Sequence, residues 1–128
     1  MSFQEEHALE TYKSLMLYGS TGLKFVLAAN GAAAIAVMTF LGHFVAAENS
    51  DLPDLRQPLA LFVVGVFVGG LAIASAYFTQ LNLYNESLAF DDSPRPRHVM
   101  WLRLSMALIL LGMSLFAAGS LWAVSILN

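Results

Sequence analysis

The chain has 128 residues, of which 58% are hydrophobic and 12% charged, and its formal net charge is −3. Soluble domains usually carry about 25% charged residues, so this composition and the mean hydropathy of +0.66 favour an integral membrane protein. The absence of cysteine excludes disulfide frameworks, thiolate metal sites and cysteine nucleophiles, and so small a net charge predicts no nucleic-acid partner.

The first residues predict a helix that begins well before the first apolar run. Ser2-Phe3-Gln4-Glu5 has the form of a capping box, in which the serine and the glutamate each satisfy an amide of the first turn. Leu9, Tyr12 and Met16 follow at helical spacing and form a narrow apolar stripe. This acidic start lacks the basic region of a secretory signal, so we expect the chain to be retained whole.

Three apolar runs cover residues 25–47, 59–78 and 104–127. Each has about 20 residues or more, enough to cross roughly 30 Å of hydrocarbon as a helix. A soluble protein of this size would have too little polar surface to cover three such helices. We therefore predict an all-α membrane protein, with one membrane domain over residues 1–128 and spans at about 22–47, 58–80 and 101–127.

Short polar links join the spans, so the first two helices are predicted to form an antiparallel hairpin. Pro58 suits the first turn of the second helix, and Ser93 with Pro94 suits the start of the third. An apolar stripe continues the second helix past its span; its members are Tyr77, Leu81, Tyr84 and Leu88. We expect cytoplasmic helical extensions over about 3–21 and 80–90, whose stripes either pack together, the favoured interpretation, or bind a partner.

Basic residues near the span ends predict the orientation. Five of them lie on the N-terminal side of the first and third spans, and Arg56 alone lies on the other side; the five are Lys13, Lys24, Arg95, Arg97 and Arg103. The N-terminus should therefore be cytoplasmic and the C-terminus periplasmic or outside. Trp101 and Trp122 lie 21 positions apart, about 31 Å along a helix, which fits one ring at each interface. The predicted headgroup and interface residues are Lys24, Arg95, Arg97, Trp101, Arg103 and Trp122.

Small residues are frequent in all three spans, and small residues let membrane helices approach closely. The candidate packing glycines are Gly31, Gly65, Gly69, Gly112 and Gly119. The sequence leaves two alternatives open, in which these glycines face neighbouring helices of one chain or face another subunit.

Asn30 is the most informative polar residue within the predicted spans, because an unpaired amide in hydrocarbon is costly. If the hairpin closes near residues 50–54, Asn30 lies level with about residue 76. Ser75 and Thr79 are then its candidate partners, and the three form a candidate intramembrane polar cluster. A structural bond between helices is the favoured interpretation, and a polar point on a conduction or ligand path is the alternative.

Several activities are disfavoured by the residues present. A haem-binding anchor needs histidines at matching depth, whereas His43 lies at the other end of the membrane from His7 and His98. The spans contain no acidic residue for an ion filter or proton relay, and their serines have no base at reachable depth. The predicted topology is also opposite to that usual for three-span phage holins. We expect no catalytic, cofactor or metal site.

The stretch from Leu27 to Gly42, with an Asn-Gly pair, a run of alanines and a closing Leu-Gly, resembles the first span of small uncharacterised bacterial membrane proteins. The resemblance implies a bacterial inner membrane location and brings no activity. The predicted function is a non-enzymatic structural or accessory protein in the lipid bilayer that self-associates or joins a larger membrane complex. The alternative is a pore-forming or channel-like homo-oligomer.

Overall fold

A computed structural model describes residues 2–47, 53–88 and 97–128. These residues form three helices: α1 over Phe3–Ala46, α2 over Arg56–Leu88 and α3 over Arg97–Leu127. Each helix is long and apolar enough to cross a membrane. The predicted all-helical fold with three candidate spans is therefore confirmed, and the chain is a multi-pass membrane protein. The predicted cap of α3 at Ser93 and Pro94 lies outside the described residues.

The first helix is continuous from the capping box to Ala46. Ser2 Oγ accepts a hydrogen bond from the Glu5 amide at 3.4 Å, and Glu5 Oε2 accepts one from the Ser2 amide at 2.8 Å. The predicted capping box is therefore confirmed. With 44 residues, α1 is about 66 Å long, much longer than a bilayer requires.

Contacts between α1 and α2 run in opposite sequence order. Asn30 of α1 lies against Gly65 of α2, and Val26 lies against Gly69. Carried along both helices, this register puts Arg56, the first residue of α2, level with about residue 39 of α1. The end of α1 therefore continues roughly 10 Å beyond the start of α2.

The segment before α2 lies against that projecting end of α1. Leu41 and Val45 line a cavity together with residues 53–56, and the side chain of Leu55 is only 2% exposed. The carbonyl of Leu55 accepts the amide of Leu59 at 3.0 Å, so the helical bonding of α2 begins there. Pro58 lies buried in this first turn, where a backbone N–H would have no acceptor within the helix.

The third helix runs in the same direction as α1 and packs mainly along α2. Phe62 of α2 lies against Gly119, and Ser105 of α3 donates to the carbonyl of Ala72 at 3.2 Å. The three helices meet around Val26, which is fully buried. The tightest packing of the bundle is therefore near the middle of α1.

Candidate functional site

Asn30 lies where all three helices meet, and its side chain is fully buried. Its Nδ2 donates to the carbonyl of Val26, 2.9 Å away in the same helix, and to the carbonyl of Gly112 in α3, 3.1 Å away. Among the described residues no donor reaches its Oδ1. The side-chain nitrogen of Asn30 thus joins α1 to α3 by a hydrogen bond, whereas its side-chain oxygen has packing contacts only.

Gly65 provides the space for that oxygen. A Cβ built on Gly65 would lie 2.1 Å from Oδ1 and 2.4 Å from Cγ of Asn30. Because a glycine hydrogen occupies this direction instead, the Gly65 Cα–H points at Oδ1, the arrangement of a weak Cα–H···O contact. Only glycine lets the carboxamide lie directly against the backbone of α2.

The two other members of the predicted polar cluster do not meet Asn30 through a hydrogen bond. Ser75 donates to the carbonyl of Leu71, and Thr79 donates to the carbonyl of Ser75, both at 2.9 Å within α2. The register explains the difference, since Gly65 rather than residue 76 lies level with Asn30. Hydroxyl groups that bond their own helix in this way are satisfied without a second helix.

The candidate packing glycines lie mostly between helices of this one chain. Built Cβ atoms would lie 2.9 Å from Leu27 at Gly69, 2.4 Å from Val26 at Gly112 and 2.8 Å from Phe62 at Gly119. Gly31 is looser, with its nearest contact 4.0 Å away on Val66. Of the two alternatives left open by the sequence, the contacts of Gly65, Gly69, Gly112 and Gly119 match packing within the chain.

Lys24 lies beside the apolar run of α2. The register places it level with about residue 71 of α2, inside the apolar run that ends at residue 78. Its side chain is exposed, and side chains of a helix lean toward its N-terminus. The ammonium can therefore extend toward the nearer, N-terminal-side interface while its methylenes remain in the apolar region.

The other predicted interface residues have different surroundings. Arg97, Arg103 and Trp122 are exposed, and Trp101 is half-buried against Phe78 with ring centroids 4.8 Å apart. Trp101 therefore has a packing partner on α2 in addition to its place near the start of α3. Arg95 lies outside the described residues.

Glu86 and His98 link the end of α2 to the start of α3, a contact that the sequence analysis missed. The Glu86 carboxylate accepts the His98 amide at 3.2 Å and also contacts His98 Nδ1. The side-chain bond from His98 lowers the pKa of the Glu86 carboxyl below its ordinary value, although partial burial opposes the shift. The carboxylate also lies favourably at the positive end of α3.

Metal ligands are sparse in the part of the chain that the structure describes. Within residues 2–47, 53–88 and 97–128, no group of three or more His, Asp or Glu side chains is placed to hold a metal ion. The arrangement at Asn30 is instead a packing junction, with one interhelical hydrogen bond and one close glycine contact. Comparison with protein-family models, with curated proteins and with solved structures finds no match.

Proposed function

We propose that this chain is a non-enzymatic structural or accessory component of a membrane complex, formed with further copies of itself or with other membrane proteins. The observation that carries the proposal is the exposure of the two apolar stripes beyond the bundle. Leu9 and Tyr12 of α1 are 42% and 45% exposed, and Tyr84 and Leu88 of α2 are each 61% exposed. Apolar side chains in this number favour burial against a partner.

The proposed topology places these stripes on the cytoplasmic side of a bacterial inner membrane. In it, α1 and α2 form an antiparallel hairpin with helical extensions in the cytoplasm, and the C-terminus lies outside. The excess of Lys and Arg on the N-terminal side of the first and third spans supports this orientation. Reporter fusions to the C-terminus give the test, and a cytoplasmic reporter there would overturn the proposed orientation.

The polar side chains within the helices support a structural role over a pore. Asn30, Ser75 and Thr79 are all buried inside one chain, and each donates to a backbone carbonyl. A pore lining would instead need polar groups directed toward a water-filled path. The bonds of these three side chains favour a role in holding the helices together.

The test is the mass of the full chain in lipid nanodiscs, followed by ion flux in liposomes. We expect a defined assembly without flux, and we expect Leu9→Ser with Tyr12→Ser to dissociate it. Glu10→Gln, on another face of the same helix, is the matched control and should leave the assembly intact. A monomer at every protein density, or strong flux that Asn30→Leu abolishes, would overturn the structural proposal.

A further inference from the structure

A cleft of about 380 Å³ lies between the N-terminal half of α1 and the helices α2 and α3. All three helices contribute to its walls, which include Leu15, Leu23, Ile73, Tyr77, Leu102 and Met106. Gly19 also lines it, and a Cβ built there would meet nothing within 4 Å. The cleft is therefore open space beside the backbone of α1 and is not filled by any described side chain.

The serine and threonine hydroxyls of the walls are already engaged within the chain. Ser20 donates to the carbonyl of Leu17 at 2.9 Å, and Thr79 and Ser105 likewise donate to backbone carbonyls of α2. Gln80 Nε2 lies 3.4 Å from the sulfur of Met16. Because these three hydroxyls bond backbone carbonyls and most of the other wall side chains are apolar, the cleft presents mainly carbon to an occupant, and its chemistry favours a hydrocarbon chain.

The depth of the cleft matches one leaflet of the bilayer. Its α2 residues lie between Ile73 and Gln80, at the end of the apolar run over residues 59–78. Its α3 residues begin at Leu102, just before the apolar run of that helix. An occupant therefore has its apolar part beside these helices and its polar end at the N-terminal-side interface.

Two lysines of α1 lie at the edges of the cleft. Lys13 lies one turn before Met16 and Lys24 lies one turn after Ser20, two residues that line the cleft. Both lysine side chains are exposed. Because the side chain of Lys24 leans toward the N-terminus, both ammonium groups can reach the N-terminal-side interface. Lys13 reaches it from outside the apolar region and Lys24 from within it.

The third helix adds a guanidinium at the same level. Arg103 is exposed and follows Leu102 of the cleft wall directly. Glu86 is engaged with His98, and Glu10 lies about a turn farther out along α1 than Lys13. Lys13, Lys24 and Arg103 thus each lie within about one helical turn of a residue that lines the cleft, and their charge is complementary to an anionic group.

We propose that this cleft is a specific site for an anionic glycerophospholipid. One acyl chain fills the space beside Gly19, and the phosphate lies between Lys13 and Arg103, with Lys24 reaching toward it from below. Basic pockets between membrane helices are a known way to hold anionic headgroups. The bound lipid would add contacts between the N-terminal half of α1 and the rest of the bundle.

Native mass spectrometry of the full chain, with phosphatidylglycerol and phosphatidylcholine of identical acyl chains as probes, tests the proposal. We expect wild type to retain phosphatidylglycerol preferentially. Lys13→Gln and Arg103→Gln should each weaken its binding about fivefold and leave the binding of phosphatidylcholine unchanged. Gly19→Leu should fill the cleft and abolish retention of both lipids, whereas Gly42→Leu, at another open position of α1, should not.

Three results would overturn the proposal. The first is equal retention of both lipids by the wild-type chain. The second is unchanged lipid retention in Gly19→Leu together with weaker phosphatidylglycerol binding in Lys13→Gln and Arg103→Gln. That result would mean that the lysine and arginine attract anionic lipid at the surface without a specific site in the cleft. The third is conversion of a lipid-free dimer to a monomer by Gly19→Leu with unchanged lipid retention, which would assign the cleft to a second copy of the chain.

Discussion

Replacing Gly65 with alanine tests the packing junction at Asn30 directly. The new Cβ would lie 2.1 Å from Oδ1, 2.4 Å from Cγ and 2.9 Å from Nδ2 of Asn30, whereas ordinary contact begins at 3.4 Å. The nearest pair must therefore separate by 3.4 minus 2.1, or about 1.3 Å. Either α2 moves away from α1, or the carboxamide rotates and loses its bonds to the carbonyls of Val26 and Gly112.

The magnitude follows from three contributions. Overpacking of a tight contact costs about 1–3 kcal/mol, and loss of an interhelical hydrogen bond in a membrane costs roughly 0.6–1.7 kcal/mol. The higher helix propensity of alanine offsets up to about 1 kcal/mol. We expect Gly65→Ala to lower the free energy of unfolding by about 1–4 kcal/mol.

The assay is unfolding of the full chain in mixed micelles with increasing SDS, followed by helicity. Gly70→Ala is the matched control, since a Cβ there meets nothing within 4 Å, and it should be neutral or slightly stabilising. Asn30→Ala removes the carboxamide, so the penalty of Gly65→Ala should shrink in that background by about 1 kcal/mol or more. An equal penalty in both backgrounds, or a Gly65→Ala variant as stable as Gly70→Ala, would refute the reasoning.

Three further predictions concern the helix ends and the contact between α1 and α3. Gly112→Ala places a Cβ 2.4 Å from Val26, so it should destabilise the chain by about 1–3 kcal/mol in the same SDS titration. Because the pKa of Glu86 is lowered below 4.5 by its bond to His98, this contact stabilises the fold above that pH and is lost as the pH falls through the lowered pKa. Protection of the His98 amide in the first turn of α3, taken relative to the intrinsic exchange rate at each pH, should therefore fall on acidification in wild type, and Glu86→Gln should lose this dependence. Ser2→Ala removes the capping box and should weaken the first turn of α1 by about 1 kcal/mol, seen as faster exchange there with no change in SDS resistance.

The three helices could be predicted from the sequence because each apolar run is long and almost free of charge. The register between α1 and α2 could not be predicted from the sequence. The prediction placed Ser75 and Thr79 beside Asn30 by assuming that the helices meet at the middle of their link. In the structure the C-terminal end of α1 continues past the start of α2. The segment before α2, which contains the buried Leu55, lies against that end of α1. A periodic pattern specifies which face of a helix is buried, and it carries no information on how far one helix is shifted along another.

The candidate site was also predictable only in part. Asn30 was recognised because a carboxamide in hydrocarbon needs partners, whereas its acceptor, the carbonyl of Gly112, is a backbone group that any residue has. The Glu86–His98 contact joins residues 12 positions apart across the polar link between α2 and α3. No hydrophobic period marks such a pair, so only the geometry of the two helix ends reveals it.

The bond between Asn30 and Gly112 also has a consequence for the order of synthesis. Its two residues are 82 positions apart, so at 5–20 residues per second the ribosome needs about 4–16 s to supply the acceptor after Asn30 has been made. During that interval the amide has the carbonyl of Val26 as its local acceptor, and its second hydrogen is without its final partner. The arrival of α3 is therefore the step that completes the hydrogen bonding of Asn30, and truncation before Gly112 should leave the junction between the first two helices without this bond.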